Sequence, residues 1–316
     1  MTIAFRSTAV VGAGAVGSFY GAMLARAGHR VTLIGRPPHV RAIESHGLRL
    51  QMAGRTETIA VHASTDLSAV RDADLVLVCV KSTDTESVAR QIAPCLAPDA
   101  IVLSLQNGVD NAATIARHTR QPVVPAVVYV ATALPEPGLV SHFGRGDLVI
   151  GPLDAQAAQD AVLQQRLQDV VTLFASAGVA VRISPAVMVE LWSKLMVNCA
   201  YNAISALAQM PYGRMAALPA IRDVQHAVVR EVVAVAQADG QALALEPALQ
   251  AMERIADAMP AQLSSTAQDL ARGKPTEIDH LNGYVVRRGA ELGIATPVNQ
   301  TLHALVKLVE SDRVPR

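Results

Sequence analysis

Apolar positions fall into two regimes along this chain. Up to about residue 183 they form short runs bounded by glycine and polar residues. Beyond Pro185 they recur at helical spacing over long stretches. The first regime predicts strands at 8–11, 31–34, 48–51, 58–62, 75–80 and 101–105. Further β material is expected at 123–131, 139–142 and 148–151, and a last strand at 179–183. Residues 18–27 read as a helix stopped by Gly28, and 155–177 as a helix stopped by Gly178. The run Leu-Val-Leu-Val-Cys-Val at 75–80 is apolar at every position, as befits a parallel strand covered on both faces. The second regime predicts helices at 186–209, 218–239, 247–259, 265–272, 277–292 and 299–309. The fold class expected is α/β, an N-terminal Rossmann-type dinucleotide-binding domain over residues 1–183 and an all-helical domain over residues 184–316.

Between the first strand and its helix stands Gly12-Ala13-Gly14-Ala15-Val16-Gly17. Strand, G-x-G-x-x-G, helix and strand follow one another as a dinucleotide site requires. Gly12 permits the tight turn, Gly14 admits a pyrophosphate, and Gly17 lets the helix pack on the strand. The N–H groups at the helix start, at Ala15, Val16 and Gly17, then face the phosphates. An NAD site places a carboxylate at the end of the second strand. Here Gly35-Arg36 stands there, with no carboxylate before Glu44. An arginine fork suits a 2′-phosphate, so the expected cofactor is NADP(H). The alternative is a plain surface arginine. Lys81 and Asn107 follow two later strands, where open α/β sheets meet their ligands. Ordinary polarity at a strand end is the alternative for each.

The densest signal lies at 190–202, Glu-Leu-Trp-Ser-Lys-Leu-Met-Val-Asn-Cys-Ala-Tyr-Asn. Glu190, Lys194, Asn198 and Asn202 are four apart and share one helix face. The rest of the circumference is largely apolar, so the helix is expected to be buried with its polar stripe beside partners or a wet cleft. A surface helix whose stripe faces water is the alternative. Glu190 also stands in the favourable i,i+4 order to pair with Lys194.

Composition narrows the classes. Of 316 residues, 51% are hydrophobic but only 3% aromatic, so the core must be aliphatic. The formal charge is +0, which gives no overall attraction to nucleic acid or anionic membrane. Cys79, Cys95 and Cys199 are widely spaced and lack a C-x-x-C pair. A disulfide framework and structural zinc are not expected, and a reducing cytoplasm fits. The histidines show no metal-ligand spacing, so no metal is assigned. The glycine motif begins too near the first residue for a signal peptide, and no apolar run reaches membrane-span length.

Taken together, G-x-G-x-x-G, L-W-x-K-x-x-x-N-x-x-x-N, Ser264-Ser265-x-x-Gln268-Asp269 and Thr276-Glu277-Ile278-Asp279-x-x-Asn282-Gly283 form an ordered pattern over nearly the whole chain. It resembles the ketopantoate reductase family (2-dehydropantoate 2-reductases). The resemblance implies NADPH-dependent reduction of a branched 2-oxo acid to a D-2-hydroxy acid, with the active site between a Rossmann and a helical domain. It implies Lys194 as general acid and Glu277 as a carboxylate near the reacting hydroxyl. Asn198 and Asn202 become substrate-binding amides, and Ser265 a contact to the substrate carboxylate. Gly12, Gly14, Ala15, Val16, Gly17, Arg36, Lys81 and Asn107 become cofactor contacts. An interhelical ion pair is the structural alternative for Lys194 and Glu277.

The chain departs from the family pattern at Ala203, where many relatives have proline, and at Tyr212 and Gln262, where asparagine is expected. A pocket shaped by Tyr212 would admit a larger or more aromatic 2-oxo acid. Three readings follow. One is ketopantoate reduction in pantothenate biosynthesis, another a sibling reductase of a bulkier 2-oxo acid, and the third a non-catalytic NADP(H) sensor. An intact Lys194, Asn198 and Glu277 argue against the last. The expected partner is a small molecule, with no nucleic acid or membrane, and the apolar helices leave room for a homodimer.

Overall fold

The computed structural model describes residues 5–313. The chain divides into two compact units, Met1–Val187 and Met188–Arg316. In chain order, the first holds β1 (Ser7–Val11), α1 (Ala15–Arg26), β2 (Arg30–Ile34), α2 (Pro37–His46), β3 (Leu48–Met52), β4 (Arg55–Ile59) and β5 (His62–Ser64). It continues with β6 (Leu75–Val78), α3 (Thr85–Ile92), β7 (Ile101–Ser104), α4 (Asn111–Ala116), β8 (Val123–Glu136), β9 (Leu139–Ile150), α5 (Ala155–Gln159), α6 (Ala161–Ser176) and β10 (Val181–Ile183).

Among the described residues the strands form one ten-stranded sheet, ordered β4-β3-β9-β8-β7-β6-β1-β2-β5, with β10 beside β9. The centre, from β8 to β5, is parallel. Antiparallel pairing is confined to β3–β4 and the β8–β9 hairpin. Successive side chains of a strand point to opposite faces, and the two cores follow that rule. Val10, Leu75, Leu77 and Leu103 pack with Phe19, Leu24 and Leu167 of α1 and α6. Ala9, Val11, Val76 and Val78 pack with Ala89, Ile92 and Ile115 of α3 and α4. The apolar run at 75–80 is therefore covered on both sides, although its ladder ends at Val78.

Several expected elements differ. The three β pieces between 123 and 151 are two long strands, β8 and β9, with irregular register after Tyr129, Ala131 and Ala133. Bulges there break the apolar alternation that marks a strand. The helix expected over 155–177 is two helices. Asp160 leaves helical geometry, and its carboxylate accepts the N–H groups of Val162 and Leu163 to cap α6. Helices α2, α3 and α4 were not expected. Each buries only three residues, too few to write a periodic pattern.

The second unit holds α7 (Val187–Ala208), α8 (Tyr212–Ala216), α9 (Pro219–Ala238), α10 (Leu245–Ala258), α11 (Ser265–Ala271), α12 (Asn282–Leu292) and α13 (Pro297–Arg313). Helix α9 packs against α10, α12 and α13. Trp192, Leu195, Met196, Cys199, Ala200 and Ala203 of α7 are buried, as expected of a core helix. The helix expected over 277–292 is shorter at its start. Residues Ile278–His280 make a single 3-10 turn, and Leu281 (φ −109°, ψ −106°) separates it from α12. Among the described residues no helix is long and apolar enough to cross a membrane.

Candidate active site

The sequence places the candidate residues in both units, and each set is built locally. In the first unit the three glycines of the loop serve three different needs. Gly12 has φ +99°, a conformation that favours glycine, and a Cβ there would lie 2.5 Å from the Val80 nitrogen. A Cβ on Gly17 would run into the Gly12 carbonyl and approach Val10 Cγ1 at 2.9 Å. Gly14 is needed for neither reason. Its φ of −79° is ordinary, and a Cβ there would meet nothing within 4 Å. The space in front of Gly14 is open, and the backbone is bare where a phosphate would approach.

The loop is fixed from below. The N–H groups of Gly12 and Ala13 both donate to the Ile34 carbonyl at 2.9 Å, and Gly14 N–H donates to Gly12 at 2.8 Å. The first helical bond of α1 runs from Ser18 N–H to the Gly14 carbonyl. The N–H groups of Ala15, Val16 and Gly17 thus precede the helical ladder, and no side chain caps them. Their partial positive charge suits an anion. These features fit a dinucleotide pyrophosphate.

Arg36 is exposed and stands as the N-cap of α2, separated from the end of β2 by Gly35 alone. Lys81 follows β6 and Asn107 follows β7, both half-buried. A buried polar network that the sequence reading missed joins these two strand ends. Ser82 Oγ donates to the Asn107 carbonyl at 3.0 Å, and Asn111 Nδ2 donates to it at 2.6 Å. Gln106 Nε2 donates to the Val80 carbonyl at 3.0 Å and to Thr85 Oγ1 at 2.6 Å. Thr85 in turn donates to Asn111 Oδ1 at 2.7 Å. The Gln106-Asn107 pair was the only sign of this network in the sequence. Val80, Ser82 and Thr85, which it bonds, lie more than 20 positions away.

In the second unit the polar stripe grades inward along α7. Glu190, Lys194 and Asn198 are half-buried, whereas Asn202 is 3% exposed. Two segments meet the inner end. Ser264 Oγ donates to the Asn202 carbonyl at 3.2 Å, and Ser264 N–H donates to Ser205 Oγ. Ser264 also caps α11, accepting the Ala267 N–H at 3.0 Å. Ser265, one residue on, is exposed. Tyr212 Oη donates to Asn202 Oδ1 at 3.5 Å, and its ring packs on Tyr201 at 4.6 Å. Burial pushes the Tyr212 phenol up, so it stays a donor. Tyr212 N–H donates to the Gln262 carbonyl at 3.0 Å, which makes the two departures from the family pattern neighbours.

Glu277 is half-buried in a turn ahead of α12, not within the helix expected there. The residues around it are tied to α13. Thr276 N–H donates to Glu310 Oε1 at 2.9 Å. Asp279 accepts from His303 Nε2 at 2.6 Å and from Lys307 Nζ at 2.9 Å, and Lys307 also reaches Glu310 at 3.0 Å. Burial alone would raise the Asp279 carboxyl, but the bonds from His303 and Lys307 outweigh it and hold the carboxyl below its usual range. These pulls favour a turn over a continuous helix. Asn282 Nδ2, just after this turn, donates to the Cys199 carbonyl at 3.1 Å, next to Asn198. The segments that carry Ser265 and Glu277 are thus each tied to α7 through a nearby residue, Ser264 and Asn282. Among the described residues no cluster of three or more His, Cys, Asp or Glu is placed to hold a metal.

A parallel sheet with an open glycine loop, joined in one chain to a helical unit that carries a lysine–amide stripe, is the build of a dinucleotide-dependent oxidoreductase. Comparison with known proteins gives the particular family. Residues 8–155 match the family described as ketopantoate reductase PanE/ApbA, and residues 186–310 match its C-terminal counterpart. A 2-dehydropantoate 2-reductase of Halobacterium salinarum is 38% identical over 96% of this chain and 98% of its own. A PanE/ApbA family ketopantoate reductase of Ralstonia eutropha JMP134 is 53% identical, with a TM-score of 0.90 over 97% of this chain and 99% of its own. D-mandelate dehydrogenase, solved with NADH and anilino(oxo)acetate, superposes with a TM-score of 0.89 at 25% identity, covering 97% and 99%. The chain belongs to the ketopantoate reductase family.

Proposed function

We propose that the protein reduces ketopantoate, a branched 2-oxo acid, to D-pantoate with NADPH, as a step of pantothenate biosynthesis. The observation that carries the cofactor half is Gly14, which is glycine with no conformational or packing need inside the protein. The arginine that follows β2, in place of a carboxylate, supports NADPH. When bound, the reduced nicotinamide supplies a hydride. In this reading Gly12, Gly14, Ala15, Val16, Gly17, Arg36, Lys81 and Asn107 hold the cofactor.

The chain's own residues do the rest. Hydride arrival at a ketone carbon builds charge on its oxygen, and Lys194 donates a proton to it. Asn198 and Asn202 bind polar groups of the substrate without adding charge. Tyr212 Oη donates to the Asn202 side-chain oxygen Oδ1, which leaves the Asn202 side-chain N–H groups for a ligand. Ser265 contacts the substrate carboxylate, and Glu277 orients the reacting hydroxyl. Cytoplasmic action belongs to the same reading, supported by three free cysteines.

Tyr212 favours a second reading, a bulkier or aromatic 2-oxo acid. The likeness to D-mandelate dehydrogenase supports it. One experiment separates the two: NADPH oxidation by the purified protein with ketopantoate and a panel of larger 2-oxo acids. Fast ketopantoate turnover carries the first reading. Poor ketopantoate turnover with fast reduction of a larger acid replaces it by the second. Tight NADPH binding without any turnover defeats both.

A further inference from the structure

His39 has no part in the chemistry above, yet it is 5% exposed and both its ring nitrogens are engaged. Nδ1 accepts the N–H of Gly138, in the turn between β8 and β9, at 2.9 Å. A nitrogen that accepts carries no proton, so the proton of the neutral ring lies on Nε2. Nε2–H then donates to Ser18 Oγ at 3.1 Å, and Ser18 Oγ–H donates to the Ala13 carbonyl at 3.2 Å. Burial lowers the proton affinity of the imidazole, in keeping with a neutral ring. A hydrogen-bonded chain thus runs from the hairpin turn through one imidazole into the glycine loop.

His39 also holds the other phosphate element. Its backbone N–H donates to the Arg36 carbonyl at 3.0 Å, so the imidazole rides on the turn that Arg36 opens. The glycine loop and this corner touch directly as well. Gly12 and Ala13 share the Ile34 carbonyl, and a Cβ on Gly35 would lie 2.9 Å from Ala13 Cβ. The hairpin turn is seated on α2, since a Cβ on Gly138 would lie 3.0 Å from Ala42 Cβ. Loop, corner and hairpin therefore form a triangle whose buried polar link is His39.

We propose that His39 is a positioning residue that fixes the Arg36 corner against the glycine loop and thereby sets the preference for NADPH over NADH. This rests on the dinucleotide-binding reading given above. NADPH presents two anionic regions, a pyrophosphate and a 2′-phosphate, and needs both elements in register. NADH presents only the first. Slackening the triangle weakens NADPH through both elements and NADH through one.

The test is dissociation constants for NADPH and NADH, by quenching or enhancement of dihydronicotinamide fluorescence, on wild type, His39→Ala, His39→Asn, His39→Gln and Ser18→Ala. Glutamine extends its amide nitrogen toward the place of Nε2 and keeps the bond to Ser18. Asparagine reaches only the place of Nδ1. The expected result is a loss of roughly tenfold in NADPH affinity for His39→Ala and His39→Asn, the scale of one lost buried hydrogen bond. NADH affinity falls less, so the preference shrinks. His39→Gln restores most of the preference, and saturating NADPH restores the wild-type kcat. Ser18→Ala cuts the same chain without touching His39 and must shrink the preference too, which keeps the test open if a histidine variant fails to fold. Equal weakening of both dinucleotides, or an unchanged preference in Ser18→Ala, overturns the proposal while leaving the function intact. A wild type that binds neither dinucleotide overturns the function, and this inference with it.

Discussion

Replacing Gly14 by alanine separates what the loop does for the fold from what it does for a ligand. The backbone at Gly14 is open to any L-residue, and the added methyl meets nothing within 4 Å. Two small effects on stability then oppose each other. Alanine restricts the unfolded chain, which stabilises by about 0.4–1 kcal/mol. It is also a poorer N-cap than glycine by roughly 0.5–1 kcal/mol. The sum lies within about 1 kcal/mol of zero, or no more than about 4 °C in Tm for a chain of a few hundred residues. Binding is another matter. The methyl stands in the open space through which, on the proposed reading, phosphates approach the N–H groups of Ala15, Val16 and Gly17. Loss of one charge-assisted hydrogen bond is worth about 1.5–3 kcal/mol, which is a rise of roughly ten- to hundredfold in Kd for NADPH. Gly17→Ala is the contrast, because its methyl collides with the Gly12 carbonyl and Val10. Overpacking of that kind costs about 1–3 kcal/mol, so its Tm falls by several degrees. The assay is a fluorescence titration of NADPH and a thermal melt on the same preparations. A Gly14→Ala protein that binds NADPH with wild-type affinity would refute the assignment of the open space to a phosphate.

Further expectations concern the second unit. Lys194→Ala should lower turnover by about 10²–10⁴, the range of general-acid catalysis, with NADPH affinity unchanged in a titration; wild-type turnover would remove the lysine from the chemistry. Tyr212→Phe removes only the hydroxyl on Asn202 and should raise KM for the 2-oxo acid up to about tenfold, leaving KM for NADPH alone. Glu310→Gln weakens the hold on Thr276 and Lys307, and hydrogen bonds to a charged group are worth about 1.5–3 kcal/mol. Both Tm and kcat should fall, and an unchanged kcat would show that α13 does not position Glu277. The depressed Asp279 carboxyl contributes stability that is present above its unfolded value of about 3.9 and is lost as pH falls through its lower folded value. The gap in Tm between wild type and Asp279→Asn should therefore be full near neutrality and close only in acid below about pH 4.

The features legible in the sequence are those whose partners lie nearby in the chain. The glycine loop needs only its own six residues and two flanking strands. The stripe of Lys194, Asn198 and Asn202 is written by i,i+4 spacing alone. Buried strands β6 and β7 announce themselves because both faces demand apolar residues. The hairpin of β8 and β9 was seen in pieces, because its outer halves are only partly buried and carry bulges. Asp160 could not be told from any other helical aspartate until its role as a cap was seen. The turn at Glu277 reads as helix locally and is set by Glu310, His303 and Lys307 on another helix. His39 shows the same point from the other side, since its partners stand at 18 and 138.

The tandem serines at the start of α11 divide labour between adjacent positions. Ser264 anchors the segment through three bonds, while Ser265 is exposed and takes no part in the cap. Substitutions at position 265 should therefore leave the start of α11 intact, with the scaffold held by position 264. The exposed position can vary without disturbing the three bonds that hold the segment, so the cap and the surface beside it are free to change independently.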